Sequence, residues 1–121
     1  MARVVALIAD LLFGSQVKGA LAAAGHEVEL VGNADRTRER LADAPAVLLV
    51  DLVDEDLHGA ALVESLAAEG MLERTRTLGF YSHVDVQARE RAERAGFDLV
   101  IPRSRMAREG AELLTRLLVD G

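Results

Sequence analysis

A chain of 121 residues is long enough to bury one continuous core and too short for two. Its formal net charge of −6 argues against a nucleic-acid backbone as partner, and the absence of Cys excludes disulfides, thiolate catalysis and Cys-based zinc sites together. Half of the residues are apolar but only 3% are aromatic, so the core must be filled by Ala, Val and Leu, a composition that suits strands covered closely by Ala-rich helices.

Val4–Ala9 is a continuous apolar run rich in β-branched residues, as expected of a strand (β1) buried on both faces of a parallel sheet. Asp10 ends the run far short of a signal-peptide core or a membrane span, so a cytoplasmic location and no membrane partner are expected. Phe13, Val17, Ala20, Leu21 and Ala24 recur at helical spacing before Gly25 (α1). The more polar stretch His26–Val31, closed by the turn signal Gly32-Asn33, reads as a strand nearer an edge (β2). Asp35 is placed to cap a short helix through Leu41 and Ala44 (α2), which Pro45 forbids from continuing. Ala46–Val50 is the second fully apolar run (β3), and it too ends in an aspartate, Asp51.

Beyond a loop holding Asp54, Glu55 and Asp56, the spacing predicts a helix over Leu57–Glu69 (α3) with Leu62, Val63, Leu66 and Ala67 inward, closing at Gly70. Thr77–Tyr81 reads as β4 and is followed by Ser82. Val84, Ala88, Ala92 and Ala95 form the narrow apolar stripe of α4, while Arg89 and Glu93 are spaced for an ion pair on its wet side. Leu99–Ile101 is β5, broken by Pro102, and Met106, Gly110, Leu113, Leu114, Leu117 and Leu118 line one side of α5.

Five strands alternating with five helices on short connections predict an α/β three-layer sandwich, a single domain over residues 1–121. The expected strand order is 2-1-3-4-5, the flavodoxin-like arrangement. In that order the winding reverses between β1 and β3, and ligands bind there at the carboxyl ends of the strands. Asp10, Asp51, Ser82 and the segment Arg103-Ser104-Arg105 all fall at those ends.

An acid after β1, an Asp after β3, a Ser after β4 and a Pro after β5 form a pattern that covers essentially the whole chain and resembles the receiver domains of bacterial response regulators. The resemblance implies that Asp51 is a phospho-acceptor for a histidine kinase. It further implies that Asp10 and Asp51 hold Mg²⁺ and that Ser82 contacts the phosphoryl group; Arg103 and Ser104, beside the end of β5, are candidate contacts to a phosphate or another anion by their own position. Two departures stand out. Typical receivers carry two adjacent acids after β1, whereas Ala9 and Leu11 flank Asp10 here, and Ile101 occupies the place before Pro102 where the family has a Lys. Phosphoryl transfer depends on preorganised positive charge, and Arg103, past the Pro, differs from Lys in reach and shape. The phrases Asp10-Leu11-Leu12-Phe13-Gly14-Ser15, Ser82-His83-Val84-Asp85 and Arg103-Ser104-Arg105 are also similar to small stand-alone receiver-like bacterial proteins, which implies a degenerate receiver used for protein contacts or an anionic ligand.

Plainer explanations exist for each residue. Asp10 and Asp51 can simply terminate strands and bind backbone amides. Ser82 or Asp85 can cap α4, which fits better than a nucleophilic triad built from Ser82, His83 and Asp85, so close in sequence. His58 reads as loop surface, and no phosphate-loop or dinucleotide motif is present. Arg103 and Arg105 suit a phosphate, a partner carboxylate, or a salt bridge to Asp10, Asp51 or Asp85. The expectation is a non-enzymatic, receiver-like regulatory domain that pairs with itself or another protein through α4, β5 and α5. A phosphorylated response regulator and a sensor of a small anion are the alternatives.

Overall fold

β1 (Arg3–Leu7), β2 (Glu27–Val31), β3 (Val47–Asp51), β4 (Arg76–Tyr81) and β5 (Leu99–Pro102) make one sheet in the computed structural model, which describes residues 2–120. All neighbours pair in parallel, in the expected order β2-β1-β3-β4-β5. Between successive strands run α1 (Leu11–Ala23), α2 (Ala34–Leu41), α3 (Gly59–Ala68) and α4 (Val86–Ala95), with a 3₁₀ turn at Glu55–Leu57, and α5 (Arg103–Asp120) follows the last strand. No helix among the described residues is long and apolar enough to cross a membrane.

The continuous apolar runs follow from a sheet covered on both faces, since alternate side chains enter opposite layers. Val4, Ala6, Val47, Leu49, Leu78 and Phe80 pack against Phe13, Val17 and Leu21 of α1 and Met106, Leu113 and Leu114 of α5. Val5, Leu7, Leu48 and Val50 meet Leu41, Leu62, Val63, Leu66, Ala92 and Ala95 on the other side. The register Leu7↔Val50, Asp51↔Phe80 and Tyr81↔Pro102 brings the carboxyl ends of β1, β3, β4 and β5 to one rim.

Several boundaries differ from the sequence reading. β1 stops at Leu7; Ile8 stays buried and its N–H still donates to the Val31 carbonyl at 3.1 Å, so the apolar run outlasts the ladder. Asn33, not Asp35, caps α2: its backbone is extended (φ −155°) and its side chain accepts the Arg36 N–H at 2.9 Å. α2 ends at Leu41, ahead of Ala44, whose φ of 49° is left-handed. α3 begins at Gly59, because His58 takes φ 48° and separates it from the 3₁₀ turn. Val84 lies before α4 and is 75% exposed rather than inward, and Phe97, which the spacing did not single out, fills that layer beside Ala92 and Ala95. Ala20, Ala24 and Ala67 are likewise exposed.

Candidate functional site at the carboxyl rim

Asp51 closes β3 at 4% exposure. Its Oδ1 accepts the N–H groups of Val53 at 2.8 Å and Asp54 at 3.3 Å as the chain turns out of the sheet. Burial pushes the carboxyl above its ordinary range, and this outweighs the two amide bonds and the attraction of Arg103. Asp51 Oδ2 accepts no hydrogen bond among the described residues, yet it is not sealed from solvent.

Asp10 sits at the N-cap of α1, where Oδ1 accepts the Leu12 and Phe13 N–H groups, each at 3.1 Å. Its other oxygen, Oδ2, accepts from Arg103 Nη2 at 3.4 Å. The Phe13 amide, then the Leu12 amide and the Arg103 guanidinium, hold this carboxyl below its ordinary range. Arg103 opens α5 directly after Pro102, so its position follows from the end of β5. Its guanidinium lies over the Phe13 ring, 4.2 Å from the centroid, and Phe13 in turn meets Phe80 of the core at 5.1 Å between centroids. Ile101, where the receiver pattern has an ammonium, is 1% exposed and belongs to the apolar core.

The remaining sequence candidates are placed as follows. Ser82 is half-buried just beyond β4, and its carbonyl accepts the Asp85 N–H at 2.8 Å. Asp85, not Ser82, caps α4 through the Ala88 N–H at 3.0 Å. Ser104 is exposed in the first turn of α5 and its carbonyl accepts from Arg108 Nε at 3.4 Å. Arg105 pairs with Glu109 at 3.3 Å along α5, so only one of the two arginines joins the rim charges. His58 and His83 are exposed. Asp10, Asp51 and Arg103 thus form one electrostatic group with Ser82 on the neighbouring strand end.

The sequence reading missed two contributors. Phe13 was a core position by spacing, but it also carries the guanidinium; the signal was its place three residues after the Asp10 cap. Asp54 binds its own loop and adds negative charge beside Asp51.

A resident Mg²⁺ asks for several oxygen donors converging on one point. Asp10 has one oxygen given to two amides and the other to Arg103, which leaves the free oxygen of Asp51 as the only uncommitted carboxylate atom of the pair. No group of three or more His, Cys, Asp or Glu among the described residues is arranged to hold a metal ion. This donor set does not fit a resident divalent cation. What the rim presents is one guanidinium paired with an exposed carboxylate and acting electrostatically on a buried one.

No protein-family model matches the sequence and no curated protein is similar to it. Solved structures are similar in fold. The receiver domain of NtrX from Brucella abortus is 21% identical with a TM-score of 0.81, over 98% of this chain and 99% of that one. The signal receiver domain of NarL from Mycobacterium tuberculosis is 20% identical with a TM-score of 0.83, over 99% and 98%. A longer NtrX chain from Brucella abortus, crystallised with ADP, is 21% identical with a TM-score of 0.84 over 98% of this chain, which spans 26% of it. The chain has the receiver-domain fold.

Proposed function

We propose that this chain is a receiver-like signalling module that works through protein contacts, has no enzymatic activity of its own, and uses Arg103 where a metal-dependent receiver would hold its cation. The observation that carries the reading is the Arg103–Asp10 pair at 3.4 Å, with the guanidinium seated on Phe13. Metal-assisted phosphoryl transfer requires cations free to meet the equatorial oxygens. Here the near cation is engaged with Asp10, and the position of the expected ammonium is apolar. The surface of α4, β5 and α5 suits a protein partner or a second copy. It offers Val86 (57% exposed) and Val119 (78%), and the Arg89–Glu93 pair supplies a charge pattern for specificity.

Titrating the protein with beryllofluoride, with and without Mg²⁺, tests this reading calorimetrically. The expected result is no Mg²⁺-dependent binding. Stoichiometric binding that needs Mg²⁺ and disappears in Asp51→Asn would overturn it.

One observation favours a second reading, in which a histidine kinase phosphorylates Asp51. Asp51 Oδ2 takes no hydrogen bond among the described residues, and the Arg103 charge acts on the carboxyl. In that case Arg103 stands in for the missing Lys, Ser82 contacts the phosphoryl group, and Mg²⁺ binding at Asp10 requires Arg103 to leave. An anion sensor built on Ser82, Arg103 and Ser104 has less support, because Asp10 already holds the guanidinium.

A further inference from the structure

On the face opposite α1 and α5, the helical layer parts between α2 and α3 into a cleft of about 600 Å³. Arg38 of α2 binds both carboxylate oxygens of Glu69, just past the end of α3. The two helices are therefore tied toward the amino side of the sheet, while the cleft opens toward its carboxyl rim. Small residues leave it unfilled: Ala34 stands on α2, and Ala61 and Ser65, one turn apart, stand on α3. Leu62 contributes apolar surface between the helices.

The fixed charge of the lining is negative, beside the exposed imidazole of His58. Asp54 and Asp56 line the cleft, and no Lys or Arg does. The cations of α2 are directed elsewhere, Arg36 and Arg40 to Glu29 and Arg38 to Glu69. A trough of small side chains between two helices with acids on one wall matches helix-in-groove recognition by a segment that is apolar on one side and basic at its margin.

We propose that this cleft docks an apolar-faced, Lys- or Arg-bearing helical segment of a partner protein, its apolar side chains entering between Ala34 and Ala61 and its cations meeting Asp54 and Asp56. The inference rests on the reading of the chain as a protein-contact module and adds a surface separate from α4, β5 and α5. The docking wall is continuous with the rim site, since the Asp54 N–H is one of the two donors to Asp51 Oδ1. A change at Asp51 would reach the cleft through that loop.

The experiment is a ¹⁵N-resolved NMR titration of the whole chain with three probes: a short helical Leu/Lys peptide, a Leu/Glu peptide of the same spacing, and spermidine. The Leu/Lys peptide is expected to shift the amides of Gly32, Ala34, Ala61 and Ser65 saturably, and the other two probes to leave them in place. Ala61→Phe, at an exposed position that tolerates the ring, should fill the trough and weaken the peptide about tenfold or more, and Asp56→Lys should weaken it without altering the melting temperature. Equal shifts from spermidine would show a bare cation site, scattered shifts would show unspecific attraction to an acidic surface, and unchanged affinity in Ala61→Phe would place the peptide elsewhere; each overturns the proposal. Beryllofluoride binding reads Asp51 and not the cleft, so failure here leaves the reading of the rim standing, and the converse also holds.

Discussion

Two aspartates at one rim make the same local bond and titrate in opposite directions. Asp10 and Asp51 each give Oδ1 to two successive backbone amides. At exposed Asp10 those bonds win and the carboxyl is held below 3.8, whereas at Asp51 burial wins and the carboxyl is raised above 3.8. Their effects on stability follow with opposite sign. The raised Asp51 favours the folded state fully below its unfolded value, and that contribution is lost as pH rises through the folded one. Asp51→Asn is therefore expected to raise Tm by a few degrees near neutral pH, with the gain shrinking as pH falls through the raised folded value and gone below the unfolded value of about 4. The lowered Asp10 stabilises above its unfolded value and loses that effect as pH falls through the folded one. Asp10→Ala is expected to lower Tm near neutral pH, with a deficit that fades in strong acid. Thermal melts of both variants across pH check the pair, and parallel pH profiles would contradict the account. The rim position of both residues was legible because each ends a fully apolar run. The choice Arg103 makes between Asp10 and a free anion was not, since it depends on the Phe13 ring that seats the guanidinium.

The elements themselves were readable from hydrophobic period, but their ends were set by contacts the sequence does not display. Asn33 rather than Asp35 caps α2 because only Asn33 has the extended backbone that aims a side chain at the first turn. Val84 matched the spacing of α4 yet precedes the helix, since Asp85 takes the cap and starts it at Val86. Gly59 marks the start of α3, where a Cβ would stand 2.5 Å from Val50 Cγ1 and 3.2 Å from Leu52 Cδ2. Gly59→Ala should therefore cost about 1–3 kcal/mol through overpacking against β3. Gly19, inside α1, has nothing within 4 Å of an added Cβ and no strained backbone, so Gly19→Ala should stabilise by roughly 0.4–1 kcal/mol. Urea unfolding of the two variants should give midpoints on opposite sides of the parent. A midpoint for Gly59→Ala above the parent would mean that packing at the head of α3 is looser than the geometry indicates, and one for Gly19→Ala below the parent would contradict the open space at that position.

Across the whole molecule, the parallel sheet and its register do for the site what no local motif does: they bring residues 10, 51, 82 and 103 to one edge. Fold class and strand order were legible because two continuous apolar runs require a sheet covered on both faces. The chemistry was legible only as a scaffold with altered parts, because Ile101 announces a missing ammonium but not where the nearest cation goes. That cation is Arg103, and its engagement with Asp10 is the observation on which the proposal of signalling by contact rests. The most direct measurement is the intact mass of the protein after incubation with acetyl phosphate and Mg²⁺. The account predicts an unchanged mass for the parent and for Asp51→Asn alike. A stoichiometric gain of one phosphoryl group by the parent, absent in Asp51→Asn, would contradict it.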